Sequence, residues 1–362
     1  MEEKSLLALV EKLNQEHSLR REEWEDLIRY RTPEVSERVF SRARRWARCY
    51  YGNKIYVRGL IEISSFCRNN CLYCGIRRGN PNAQRYRLTK EQIWDCAQRG
   101  YELGFRTFVL QGGEDPGFSD EQVAQTVAGL RARYPDCAIT LSLGERKKEV
   151  YALWYEAGAN RYLLRHETAD PRHYARLHPP ELDPVYRQNC LWNLKEIGYQ
   201  VGTGFMVGSP YQTPENLAED FLFIEKLQPH MVGIGPFVPH HDTPFAHKPA
   251  GTAELTVFLL ALLRLQQPNV LLPATTALGT IDPKGREKGV LAGANVIMPN
   301  LSPMDVRKKY MLYDNKISTG DESAQNLANL KQRMADIGYE IVVDRGDWIG
   351  PQGLASTGRA RI

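Results

Sequence analysis

The chain has 362 residues, 42% hydrophobic and 25% charged, with 47 basic against 43 acidic residues and a net charge of +4. No long basic run marks a nucleic-acid partner, and the longest strongly apolar run, Val257 to Leu263, is far too short to cross a bilayer. The N-terminus, MEEKSLLALVEKLNQ, is acidic where a secretory signal needs a basic start and an apolar stretch, so the expectation is a cytoplasmic protein without a membrane partner.

Residues 1–53 are polar and patterned as helices, and read as a helical N-terminal extension. From Lys54 onward strand and helix signals alternate. Candidate strands are Val57–Ser64, Thr107–Gln111, Ala138–Leu143, Tyr162–His166, Val201–Val207, Met231–Phe237, Val270–Thr276 and Val296–Pro299. Several are apolar without two-residue alternation, as in parallel sheets covered on both faces. Between them, Thr89-Lys-Glu-Gln92 and Ser119-Asp-Glu-Gln122 are capping boxes, and Asp183-Pro184 and Thr213-Pro214 each place an N-cap before a proline at the first helical position. Such repeats imply parallel strands with right-handed crossovers. The predicted fold class is α/β, a (β/α)8 TIM-type barrel over residues 54–322; an open doubly wound sheet would show the same alternation. Residues 323–362 read as a short C-terminal αβ appendage.

Seven cysteines, an odd number, argue against a disulfide framework. Three of them fall in Phe66-Cys67-Arg-Asn-Asn-Cys71-Leu-Tyr73-Cys74-Gly75, a C-x3-C-x2-C run directly after the first strand. In a barrel that is the catalytic face. Three thiolates so close can hold three irons of a cubane and leave the fourth open. A structural zinc site would want four ligands, and neither a second C-x2-C nor a nearby histidine supplies one. The second strand ends Val109-Leu-Gln111-Gly112-Gly113-Glu114-Asp115, the third Ser142-Leu-Gly-Glu145, and the fourth carries Arg165-His166-Glu167-Thr168. Charges at barrel-strand ends are costly unless they serve a ligand; an internal Arg–Glu pair is the structural alternative. Met206 and Met231 read as core-lining.

C-x3-C-x-Tyr-C together with Gly112-Gly113-Glu114 resembles the signature of radical S-adenosylmethionine (SAM) enzymes. The strings RHET, GIGPF, PATTALGTI and GANVIMPN, followed by Tyr310-Met-Leu-Tyr313-Asp-Asn-Lys-Ile, extend the likeness to the HydE family, maturases of the FeFe-hydrogenase active-site cluster. The resemblance implies one 4Fe–4S cluster on Cys67, Cys71 and Cys74, with SAM chelating the open iron and being cleaved reductively to methionine and a 5′-deoxyadenosyl radical. It implies SAM contacts from Tyr73, Gln111, Gly112, Gly113, Glu114, Ser142, Glu167 and Arg187. It also implies a substrate cavity lined by Arg165, Thr275, Thr276 and Tyr313, with Arg165 and Tyr313 as catalytic candidates. The implied substrate is an organometallic precursor, an iron carrying cysteine, carbon monoxide and cyanide; the implied partners are the other hydrogenase maturases and an electron donor.

One departure stands out. Some HydE relatives carry a second cluster after the tyrosine segment, where this chain reads Lys316-Ile-Ser318-Thr-Gly and has no cysteine beyond Cys190. Cys96, Cys137 and Cys190 read as buried structural thiols, and His240, His241 and His247 as solvated or supporting residues. The alternatives are a radical SAM mutase or sulfur-insertion enzyme, like methylornithine synthase or biotin synthase, and a non-catalytic iron–sulfur carrier.

Overall fold

The structure, a computed structural model, describes residues 2–317 and 324–350. Its strands are β1 (Lys54–Val57), β2 (Gly59–Ser64), β3 (Thr107–Gly112), β4 (Ala138–Ser142), β5 (Arg161–Leu163), β6 (Gln200–Thr203), β7 (Met206–Val207), β8 (Met231–Val232), β9 (Gly235–Pro236), β10 (Val296–Ile297) and β11 (Glu340–Val342). Helices α1 (Glu3–Glu16), α2 (Arg21–Arg29) and α3 (Pro33–Tyr51) precede them. The others are α4 (Lys90–Glu102), α5 (Asp120–Arg133), α6 (Lys148–Glu156), α7 (Pro171–Leu177), α8 (Pro184–Ile197), α9 (Pro214–Leu227), α10 (Ala253–Gln266), α11 (Thr276–Ile281), α12 (Gly285–Leu291), α13 (Met304–Arg307) and α14 (Leu327–Asp336).

A parallel sheet runs in the order β2-β3-β4-β5-β6-β8. It closes through parallel bridges Met231↔Leu271, Pro273↔Val296 and Leu60↔Asn300, together with the β1–β10 ladder. The ring is the expected TIM-type barrel, with a short stretch around Leu271–Pro273 as its seventh strand. The four N-caps read from the sequence all form: Thr89, Ser119, Asp183 and Thr213 each accept a backbone N–H in the first turn.

The strands are shorter than the sequence suggests, for local reasons. The fifth is split by Gly204, where a Cβ would lie 2.0 Å from the Gly233 carbonyl oxygen; that close crossing requires glycine. The seventh ends early because Pro273 offers no N–H to a ladder and the Thr275 side chain caps α11 by accepting from Leu278 N at 3.4 Å. Thr276, expected on a strand, therefore begins a helix. The fourth strand stops at Leu163, so Arg165 and Glu167 lie on the loop after it.

Helix α10 is buried along nearly its whole length from Thr256 to Gln266, because the barrel covers one face and α3 the other. That position explains the apolar run Val257–Leu263: a helix hydrophobic all round is a buried helix. Val35, Val39, Ala43 and Ala47, four residues apart, form the buried seam of α3. Trp24 of α2 stacks on Phe221 of α9 at 4.3 Å. Strand β11 adds to β1, and the chain beyond it crosses the N-terminal end of the barrel. There Arg161 meets Asp347 at 2.6 Å, Thr107 Oγ1 donates to the Arg345 carbonyl, and Trp348 packs on His230. With the floor thus covered, the interior opens at the C-terminal ends of the strands. No described helix is long and apolar enough to cross a membrane.

Candidate active site

At that open end lies a cavity of about 360 Å³. Cys67, Cys71, Tyr73, Cys74, Gln111, Gly112, Gly113, Glu114, Ser142, Arg165, Glu167, Arg187, Thr275, Thr276 and Tyr313 all line it, so every site residue expected from the sequence is brought to one chamber.

The cysteine loop is held by main-chain hydrogen bonds rather than by regular structure. Leu72 N donates to the Leu177 carbonyl, Gly75 N to that of Leu312, and Arg68 N to that of Glu114. Arg85 fastens the loop from inside, its guanidinium donating to the carbonyls of Ile76 and Arg77 at 2.8 and 2.7 Å. Arg87 forks onto Asp115 at 2.6 and 2.7 Å, and Ser64 also donates to that carboxylate. Burial alone would raise the Asp115 pKa; these hydrogen bonds overcome it and leave the carboxyl below its usual range.

Burial, and then the other cysteines, push the Cys71 thiol well up, and burial takes Cys74 to about 12. Cys67 is raised by burial as well. Three neighbouring thiols of this kind stay protonated unless a metal centre deprotonates them. Their spacing and placement therefore fit an iron–sulfur cluster with three protein ligands.

Gly113 is where strand β3 approaches this loop. A Cβ there would sit 2.2 Å from the Phe66 carbonyl oxygen and 2.7 Å from Cys67 Cβ, whereas at Gly112 the nearest atoms are at ordinary contact distance. Gly113→Ala is thus expected to displace the cysteine loop and lower bound iron at least about twofold after anaerobic reconstitution, with Gly112→Ala the milder change. Equal iron in both variants would assign the motif's role to its backbone conformation alone.

Next to the glycines the carboxylates are engaged. Glu114 accepts from Arg68 Nε at 2.9 Å and from Glu145 N at 2.8 Å. Arg187, on α8, donates to Glu145 at 2.6 Å and to the Arg165 carbonyl at 2.7 Å. Burial raises the Glu145 pKa against the pull of Arg187. Tyr73 is half-buried, and its hydroxyl lies 3.0 Å from His178 Nε2. His178 Nδ1 lies 3.0 Å from the Tyr174 carbonyl, so that nitrogen bears the proton and Nε2 accepts from the tyrosine. Burial lowers the His178 pKa to about 3, which keeps the ring neutral.

Arg165 and Glu167 form the ion pair weighed from the sequence, with Nη2 and Oε2 3.1 Å apart. Both lie on the loop after β5, where Glu167 adopts a left-handed backbone, φ 67°. That loop is anchored by His166, buried between Thr203 and Asp220 and kept neutral by burial. The pair is not aligned for hydrogen bonding: Arg165 Nε and Nη2 and Glu167 Oε2 are buried without a hydrogen-bond partner. Such atoms are expensive unless a bound molecule satisfies them. The cradle suits a ligand carrying both amine or hydroxyl donors and anionic groups.

Sequence reasoning missed a second buried pair. Glu62 of β2, fully buried, meets Lys316 and accepts from Asn300 Nδ2 at 3.0 Å. Lys316 also donates to the Tyr310 carbonyl at 2.8 Å. Both charges line the cavity and tie the segment bearing Tyr313 to the first strand. The signal was present: Gly59-Leu-Ile-Glu62-Ile-Ser64 carries one acid amid apolar residues. Cys96, Cys137 and Cys190 are buried away from the chamber lining. His240 is buried, while His241 is exposed and bonds Asp314 at 2.6 Å. Ser318–Gly320, the stretch weighed from the sequence for a second cluster, fall outside the described residues.

Residues 61–224 match the family profile of the radical SAM superfamily. Over 282 residues, 78% of this chain and 80% of the relative, the sequence is 47% identical to the FeFe-hydrogenase maturase subunit HydE of Thermotoga maritima. The 3-methylornithine synthase of Methanosarcina acetivorans is 26% identical, over 87% of this chain and 88% of its own length. The crystal structure of a methylornithine synthase, PylB, superposes with a TM-score of 0.80 at 24% identity, covering 92% of this chain and 97% of that one, a likeness of fold. The chain therefore belongs to the radical SAM superfamily and, within it, to the family of the FeFe-hydrogenase maturase subunit HydE, as an enzyme whose cofactors are a 4Fe–4S cluster and SAM.

Proposed function

We propose that this enzyme acts in assembling the active-site cluster of FeFe-hydrogenase, in the cytoplasm, alongside other maturases and an electron donor. The observation that carries the reading is the 47% identity to HydE over about four-fifths of both chains, against 26% for the methylornithine synthase. In this reading Cys67, Cys71 and Cys74 hold the cluster. Gln111, Gly112, Gly113, Glu114, Ser142, Glu167 and Arg187, with Tyr73 behind them, hold SAM. The bound pair supplies a 5′-deoxyadenosyl radical.

The protein's own work is to bind, orient and exclude water. Gly113 lets the β3 backbone approach the cysteine loop. Arg187, fixed by Glu145, offers a positive charge beside Glu167. Arg165, whose Nε has no hydrogen-bond partner, can donate to an anionic substrate, and charge-assisted hydrogen bonds are the stronger kind. Thr275, Thr276 and Tyr313 line the remaining wall, opposite the covered floor. The proposed substrate is an iron complex carrying cysteine, carbon monoxide and cyanide, whose anionic ligands suit that wall.

The test is maturation of apo-hydrogenase in a defined mixture with this protein omitted. Hydrogenase activity is expected to fall to background and to return when the protein is added back. Full activity without it would overturn the assignment.

A further inference from the structure

Between Ser65 and Leu88 the chain has five arginines and no acidic residue, in a sequence otherwise nearly balanced in charge. Arg68 and Arg87 are taken up by the buried carboxylates of Glu114 and Asp115. Arg77 instead donates to Asn70 Oδ1, and Arg78, 62% exposed, reaches only Glu181 at 3.6 Å across solvent.

The surface next to the cysteine loop continues this character. Leu72, between two of the cysteines, hydrogen-bonds Leu177 and packs in one apolar cluster with Phe245. Phe245 meets Tyr211 edge-on, with ring centroids 6.2 Å apart. Tyr211 is 42% exposed and carries two cations on its ring, Arg176 at 3.4 Å and Lys248 at 4.6 Å. Its backbone is left-handed, φ 70°, a conformation that costs a bulky residue energy and that marks functional surface more often than ordinary loops. Among the described residues, no carboxylate pairs with Arg77, Arg176 or Lys248. An exposed, strained aromatic flanked by unpaired cations, contiguous with the loop that bears the thiols, is built to receive something negative and protein-sized.

We propose that Arg176 and Lys248, on the ring of Tyr211, together with Arg77 and Arg78 of the cysteine loop, form the docking face for an acidic one-electron donor protein. The inference rests on the reading that the neighbouring cysteines hold the redox cluster. Each reductive cleavage takes in one electron: the donor is oxidised by one and the cluster reduced by one. Charge complementarity of this kind raises encounter rate and fixes orientation, and salt screens it.

The test compares two reductants on the full-length, reconstituted enzyme: dithionite, which needs no docking face, and a reduced acidic flavodoxin. 5′-Deoxyadenosine formation is measured for wild type and for Arg78→Glu, Arg176→Glu and the double variant. With flavodoxin, the wild-type rate is expected to fall steeply with added salt. The double variant should be slower by roughly tenfold or more and nearly salt-independent. With dithionite, all four proteins should match, at unchanged iron content. Flavodoxin-driven rates equal to wild type, or an equal loss with both reductants, would overturn the docking role. No cleavage by the wild type even with dithionite would overturn the cluster reading itself, and this face with it.

Discussion

Replacing Cys71 by alanine is expected to abolish SAM cleavage, lowering 5′-deoxyadenosine at least about a hundredfold, because a cubane held by only three thiolates has none to spare. Cys71 lies between Cys67 and Cys74 in sequence, and no cysteine besides these three lines the cavity to replace it. The contrast lies with the remaining cysteines. Of the four others, Cys49 is half-buried and three are buried: Cys96 on the core face of α4, Cys137 just before β4, and Cys190, facing the Arg146 carbonyl at 3.6 Å. Changing any of these three to alanine removes a small buried group and is expected to leave cleavage within about twofold. Cleavage surviving in Cys71→Ala, or iron lost from Cys96→Ala, Cys137→Ala or Cys190→Ala, would require a different set of ligands.

The second large effect separates Glu167 from Arg165. Glu167→Gln removes a charged acceptor from a buried pocket, and a hydrogen bond to a charged group contributes about 1.5–3 kcal/mol, so SAM affinity should fall roughly ten- to hundredfold. Arg165→Met should spare SAM to within about threefold, because Arg187 also sets its charge against Glu167 and is itself held by Glu145. The same variant should weaken hydrogenase maturation strongly, since it removes Nε and Nη2, donors with no hydrogen bond of their own. SAM affinity is read by titrating the cluster's spectroscopic signal, and maturation by hydrogenase activity. The two side chains stand 3.1 Å apart, which makes the outcome informative. If Arg165→Met loses SAM as severely as Glu167→Gln, the pair is one SAM-binding unit and the division of labour is wrong.

Much of the site was legible because its chemistry is local. Three cysteines on one loop, two glycines closing a strand and charges at strand ends need no long-range information to be singled out, and the cysteines, the glycines, Glu114, Arg165 and Glu167 all reach the cavity. The helix starts were legible for the same reason: a threonine or serine cap with its partner three residues on is a complete hydrogen-bonding unit. What the sequence hid is set by tertiary contact. Glu62 and Lys316 are 254 positions apart and become partners only when the barrel closes. The crossing of residues 344–350 beneath the barrel depends on Arg161 and Asp347, which carry no motif. Arg165 was expected on the fourth strand, and it meets Glu167 instead on the loop that follows, where Glu167 has a left-handed backbone. Thr276 was misplaced on a strand because Leu272-Pro273-Ala274-Thr275-Thr276 is apolar and β-branched, while the cap at Thr275 decides the conformation.

The most direct test of the central claim is the product of the full-length protein alone, reconstituted anaerobically, reduced with dithionite and given SAM. The account predicts about four irons per chain even with excess iron and sulfide, with 5′-deoxyadenosine and methionine released in equal amounts and only when reductant is present. A protein that carries its full iron complement and binds SAM, yet releases no 5′-deoxyadenosine on reduction, would contradict it.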